Sequence, residues 1–196
     1  MSKLFVDEIV HQSSQGSGTI TLGASGETIN IPSGSTINLS NSTVTLNSNM
    51  KNTPNFLAYR ATSTQSLTQN ATTNVIMNGE AFDTDSAYDT STGKFTCPVG
   101  KAGKYFFTLG YSLNTASSGV HSGFQIRNSG GTGQGAPYTK PDPFINFQGS
   151  TAGSVNSLIC DMEEGFTINP IIYVTTASIT ISTNRSYFGG YKLIGT

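Results

Sequence analysis

Lys104-Tyr105-Phe106-Phe107-Thr108-Leu109-Gly110-Tyr111-Ser112-Leu113 alternates without a break. In a β-strand successive side chains point to opposite faces, so Tyr105, Phe107, Leu109, Tyr111 and Leu113 share one face. Phe106, Thr108, Gly110 and Ser112 take the other. A row of five large apolar groups belongs in a core or a subunit interface. No stretch of the chain carries a convincing helical period, so this strand sets the fold class: all-β.

Working outward, further strands are expected at Phe56–Ala61, Asn74–Met77, Lys94–Cys97, Val120–Arg127, Phe144–Gln148, Val155–Asp161, Phe166–Thr175, Ser178–Thr183 and Ser186–Ile194. Ten strands within residues 53–196 make a sandwich or jelly roll. Pro170 cannot donate to a ladder, which places its strand at an edge or a bulge. The 11 Phe and 8 Tyr supply the core.

The first quarter of the chain reads differently. Between Ile9 and Met50 the sole formal charge is Glu27, and no Phe, Tyr or Trp occurs between Phe5 and Phe56. A short unit recurs there: Thr19-Ile20-Thr21-Leu22, Thr28-Ile29-Asn30-Ile31, Thr36-Ile37-Asn38-Leu39 and Thr43-Val44-Thr45-Leu46. Within each unit apolar residues alternate with Thr or Asn, and Gly26, Pro32 and Gly34 mark turns between units. One such chain exposes its Ile and Leu and leaves strand edges unpaired. Three chains wound together bury Ile20, Ile29, Ile37 and Val44 on a common axis, at roughly 1.5–3 kcal/mol per side chain before ordering entropy. The competing reading is a disordered Ser/Thr/Gly linker; regular Ile-x-Leu spacing favours the shaft. The expected organisation is residues 1–12 as a docking segment, 13–52 as the shaft and 53–196 as a knob.

Composition excludes several functions. Ten Lys plus Arg against eleven Asp plus Glu give a net charge of −1, without the clustered cations that nucleic-acid binding requires. No apolar run has the ~20 residues of a membrane-spanning helix. Asp7 and Glu8 interrupt the N-terminus before a signal-peptide core develops, so synthesis in the cytoplasm and release by lysis are expected. Cys97 and Cys160 can pair in principle, but thiols in such a chain more often serve as small buried hydrophobes.

Tyr88-Asp89-Thr90-Ser91-Thr92-Gly93-Lys94-Phe95-Thr96-Cys97-Pro98-Val99, followed by Gly103-Lys104-Tyr105-Phe106-Phe107, resembles the signature of the complement C1q globular-head family. That pattern is an Asn or Asp, an aromatic five later, a Phe seven later, then Gly-x-Tyr-x-Phe. Here it falls on Asp83, Tyr88, Phe95, Gly103, Tyr105 and Phe107. Tyr187-Phe188-Gly189-Gly190-Tyr191-Lys192-Leu193-Ile194 is similar to the family's closing strand, and Asp161-Met162-Glu163-Glu164-Gly165 to its polar turn. Two departures stand out: Met77 occupies a usual aromatic position, and Gly100-Lys101-Ala102 lengthens a turn. The resemblance implies a homotrimeric ten-stranded jelly-roll knob, with the strand of Tyr105 and Phe107 near the threefold axis. No collagen-like stem precedes it. The Met-Ser-Lys-Leu-Phe-Val-Asp-Glu-Ile start and the Gly/Ser/Thr-rich repeats instead resemble small bacteriophage fibre proteins.

Little points to chemistry. His121 is the knob's one histidine, without the partners of a triad. Two His and two Cys lack paired spacing for zinc. Asp161, Glu163 and Glu164 read as a solvated turn rather than a glycosidase pair. Asp83, Asp85 and Asp89 form a weak calcium candidate without the glycine and terminal Glu of an EF-hand loop. Gly130-Gly131-Thr132-Gly133-Gln134-Gly135 lacks the Lys-Ser/Thr of a phosphate loop. The segment continues through Tyr138, Lys140 and Asp142, whose stacking and polar groups suit contact with a host glycan or protein, multiplied threefold by avidity. Leu4, Phe5, Val6 and Ile9 are the expected attachment to other virion proteins. The reading is therefore a non-enzymatic virion fibre with no cofactor, no nucleic-acid partner and no membrane insertion. The alternatives are a capsid decoration protein and, less consistent with the N-terminus, a secreted C1q-like lectin.

Overall fold

A computed structural model describes residues 50–117, 119–131, 145–147, 151–175 and 179–194, with isolated positions at 28, 33–36, 40 and 43. The expected docking residues Leu4, Phe5, Val6 and Ile9, the shaft residues Ile20, Ile29, Ile37 and Val44, and the loop residues Tyr138, Lys140 and Asp142 lie outside the described residues. The chain divides into two units, Met1–Val44 and Thr45–Thr196. In the first, Ser33 and Gly34 form a turn, with Gly34 at φ +85°.

The second unit is built of strands, with no α-helix among the described residues. They run in the order β1 (Asn55–Tyr59), β2 (Gln65–Leu67), β3 (Thr72–Asn74), β4 (Gly79–Asp83), β5 (Tyr88–Asp89), β6 (Lys94–Thr96), β7 (Gly103–Ser117), β8 (Val120–Arg127), β9 (Ile145–Phe147), β10 (Thr151–Met162), β11 (Thr167–Val174), β12 (Ile179–Ile181) and β13 (Tyr187–Lys192). They form two sheets: β2-β12-β7-β13-β1-β4, with β10 on the other side of β7, and β5-β6-β11-β8-β9, with β3 also against β11. Neighbouring strands are mostly distant in sequence, as in a jelly roll.

Among the described residues there are thirteen strands, three more than the ten expected. The additions, β2, β4 and β5, have five residues or fewer, and β4 is exposed at its three central positions, so no apolar alternation marks it. Asn74–Met77 is not a strand: pairing to β11 ends at Asn74, while Val75 and Met77 stay fully buried. Pro170 lies neither at a sheet edge nor at a bulge. It sits inside β11, opposite Phe124 of β8, on the other side of which β6 (Thr167, Ile168) hands over to β3 (Ile171–Tyr173). Its carbonyl accepts from Val75 N across that gap at 2.8 Å, so the missing N–H faces a break in the ladder.

The C1q-like motif explains itself in the packing. Phe56, Tyr88, Phe95, Tyr105, Phe107 and Phe188 form one aromatic centre: Phe56 stacks on Tyr88 and Phe95 at 5.1 Å each, and Tyr105 on Phe107 at 5.7 Å. The five-residue step from Asp83 to Tyr88 lets the Asp83 carboxylate accept Tyr88 N at 2.7 Å. Gly93 turns β5 into β6 at φ +73°, where a Cβ would meet Val75 O at 2.6 Å. Met77 is fully buried, its flexible side chain filling the core at 0% exposure. The lengthened turn has its own anchors: Lys101 O accepts the Tyr105 hydroxyl at 2.6 Å, Lys101 Nζ lies 3.6 Å from Asp85, and Glu164 accepts Gly100 N at 2.7 Å.

Candidate self-association face

Tyr105 and Phe107 are each 0% exposed, inside the protomer's own core. Of the two places the alternation allows this row, a core or a subunit interface, they occupy the core. A ring sealed between two sheets cannot touch another chain, and the surface β7 offers outward is the opposite row, Phe106 and Thr108, with Gly110 covered by the Tyr187 ring.

Cross-strand register builds that surface into rows. One runs Ile159, Phe106, Tyr191 and Asn55; the next Ser157, Thr108, Gly189, Leu57 and Phe82; a third Val155, Gly110, Tyr187 and Tyr59. The Phe106 and Tyr191 rings meet at 5.5 Å, and the Ser157 and Thr108 hydroxyls at 3.3 Å. Exposure is 61% at Ile159, 58% at Val155, 50% at Phe82 and 39% at Tyr191. At the margin Lys104 Nζ and Asp161 Oδ1 pair at 2.7 Å. Both side chains are half exposed, so their attraction is screened and adds little to stability. Beside Gly189 the face sinks into a groove of about 400 Å³ lined by Leu57, Phe82, Phe106, Tyr191, Asn52 and Asn55.

Sequence reading assigned the inner row of β7 to a core or an interface and did not single out the outer one. It missed Leu57, Phe82, Val155, Ile159 and Tyr191. The available signal was the Tyr187, Gly189, Tyr191 alternation against Phe188 and Gly190, which gives β13 a second aromatic face.

The remaining candidates disperse. Asp83 caps the turn into Tyr88, Asp85 pairs with Lys101, and Asp89 accepts from Ser91 N, Ser91 Oγ and Thr92 Oγ1 at 2.6–2.8 Å. These hydroxyls hold the Asp89 carboxyl down at about 2. The three aspartates do not converge, and no group of three His, Cys, Asp or Glu suited to a metal occurs among the described residues. Asp161 lies in β10 rather than in the turn, which begins at Glu163. His121 packs against Tyr173 at 5.9 Å. Both cysteines are free. Burial raises the Cys97 thiol and, with Asp161 nearby, pushes Cys160 up to about 12, so neither is a ready nucleophile.

A two-sheet antiparallel sandwich of this order is a jelly roll, the fold that the C1q-like reading of the sequence implies. Residues 56–132 match the C1q domain. The vertex protein P5 of PRD1 is similar in structure at TM-score 0.50 and 17% identity, over 71% of this chain and 94% of that one. The globular domain of zebrafish complement 1qA gives 0.47 and 16% over 71% and 96%, and murine APRIL 0.48 and 12% over 71% and 98%. No curated protein matches the chain.

Proposed function

We propose that this chain is a non-enzymatic structural subunit of a phage virion, a homotrimeric fibre whose C1q-like knob binds the host-cell surface. The observation that carries the assembly step is the outer face of β10, β7, β13, β1 and β4. At ~150–250 Å² per large side chain, the exposed parts of Phe82, Tyr191, Tyr59, Ile159 and Val155 amount to roughly 450 Å² of largely apolar surface. That is the order of the largest apolar patch on a typical monomer, about 300–600 Å², and such patches are often functional. A trimer carries three copies of Tyr138, Lys140 and Asp142, the residues expected to contact the host surface. Weak contacts then add through avidity. The N-terminal apolar residues attach the base to other virion proteins, and the finished protein resides in the virion.

Light scattering of the full chain and of residues 53–196 tests the assembly step. Trimers in both are expected; monomers in both would refute it. Labelled knobs binding to host cells test the second step. The likeness in fold to a PRD1 vertex protein favours a second reading, a capsid decoration protein that braces the shell. That reading expects no cell binding by isolated knobs and fragile particles when the protein is missing.

A further inference from the structure

We infer that Tyr111, Ser122 and Asn156 hold an ordered water molecule between the two sheets, and that this buried polar knot selects which row of β10 faces the core. The site lies inside one protomer and is the same whether or not chains associate. Asn156 on β10 stands opposite Leu109, Tyr111 follows two residues along the same inward row of β7, and Ser122 comes from the facing β8. Exposure is 1% at Asn156, 3% at Tyr111 and 0% at Ser122. Asn156 Nδ2 donates to Ser122 Oγ, and Ser122 Oγ donates to the Tyr111 hydroxyl at 3.2 Å. Both ends of this chain are open. Among the described residues Asn156 Oδ1 accepts from no group, and the Tyr111 hydroxyl proton finds no acceptor. A buried acceptor and a buried donor left bare are each costly. A water that accepts from Tyr111 and donates to Asn156 Oδ1 satisfies both and closes a ring. Turning the amide over would give Ser122 the oxygen but strand two N–H donors in its place. Burial raises the Tyr111 phenol, against the pull of Ser122, so the hydroxyl keeps its proton as a donor. No group in the knot is ionised, so an ion would lose its hydration there without a counter-charge, whereas a neutral water would not.

The inward row of β10 is Asn156, Leu158, Cys160 and Met162, and the outward row is Val155, Ser157, Ile159 and Asp161. Each mixes apolar with polar side chains, so hydrophobicity alone separates them weakly. A slip of one residue exchanges the rows, and the irregular step between Thr151 and Gly153 lies where it can absorb one. Asn156 breaks the tie. Ser157 and Asp161 bond within their own sheet, to Thr108 and Lys104. Asn156 is the one β10 side chain, among the described residues, hydrogen-bonded to the opposite sheet. After a slip its place would fall to Val155 or Ser157, which carry no amide to complete the ring. Buried polar groups are best attested as devices that fix register in this way. The knot thereby also places Val155 and Ile159 on the outer face.

A crystal structure of the full chain tests the water directly. Density is expected within about 2.6–3.2 Å of both Tyr111 Oη and Asn156 Oδ1. Asn156 Oδ1 bonded to a protein donor, or no density beside it, would overturn the site. Register is read by iodoacetamide alkylation of the full chain, followed at Cys160 and Cys97 separately by peptide mass spectrometry. Asn156→Ala, which removes the amide without adding an apolar anchor to the row, is expected to speed reaction at Cys160 several-fold, because a slipped strand turns it outward. Ser122→Ala, which leaves β10 itself unchanged, should do the same. Cys97, 1% exposed, is the internal control and should stay slow. Cys160 reacting at the parent's rate in both variants would refute the register role. A rise at both cysteines together would mean general loosening rather than a slip, and would refute it as well.

Discussion

Replacing Tyr88 by Phe removes one oxygen and leaves the ring. That hydroxyl donates to Met77 O at 3.0 Å and accepts from Met77 N at 3.1 Å, beside a residue at 0% exposure. The ring's contacts with Phe56 at 5.1 Å and Phe188 at 5.9 Å survive the change, so packing is nearly constant. What remains is a backbone donor and a backbone acceptor in a dry core, each costing about 1–3 kcal/mol when unpaired. Relief from burying the hydroxyl itself offsets part of this, giving a net loss of about 2–4 kcal/mol. At m-values of about 1–3 kcal/mol/M, the urea midpoint should fall by about 1–2 M. Far-UV circular dichroism of the full chain, at one fixed protein concentration because assembly adds to stability, measures it. Tyr88→Ala should cost a further ~3 kcal/mol or more through the cavity. A Tyr88→Phe midpoint within error of the parent would refute the claim that this hydroxyl holds the Met77 segment. Alkaline pH supplies a second check. Burial pushes the Tyr88 phenol well above its ordinary 10.0, so its contribution is complete below pH 10 and is lost as pH rises beyond it. Tyr88→Phe should blunt that loss.

Gly190→Ala should lower stability by about 1–3 kcal/mol, since its Cβ would stand 2.4 Å from Phe107 Cδ1 and 2.8 Å from Phe106 O. Gly189→Ala, with outward contacts no closer than 3.0 Å, should instead weaken association by filling the groove, and denaturation and light scattering together separate the two effects. Asp89→Asn should flatten the acid limb of the stability curve. The folded carboxyl is lowered from 3.8 to about 2, so its contribution is present above pH 4 and disappears as pH falls toward 2. Ile29→Asp with Ile37→Asp should abolish shaft assembly and leave the knob folded; a shaft equally resistant to protease would count against an axial core.

The parts of the fold legible in the sequence are those set by local chemistry. β8 spans Val120–Arg127 as its alternation indicates, and β7 contains the whole of Lys104–Leu113. Strands without a buried face, such as Gly79–Asp83, left no pattern because alternation records burial and not hydrogen bonding. β10 runs from Thr151, well before the expected Val155, because Thr, Ala, Gly and Ser carry no apolar alternation.

Chain chemistry by itself determined that this protein is β-rich, nearly neutral in net charge, repetitive before about Thr53 and aromatic-rich after it, and marked by Asp83, Tyr88, Phe95, Gly103, Tyr105 and Phe107 as C1q-like. Tertiary structure alone decided which side of β7 faces out, and that Phe82, Phe106, Ile159 and Tyr191 share one surface. Alternation divides a strand into two rows but does not say which row the second sheet covers. The four residues come from four strands spread over most of the knob, and only non-local pairing brings them together.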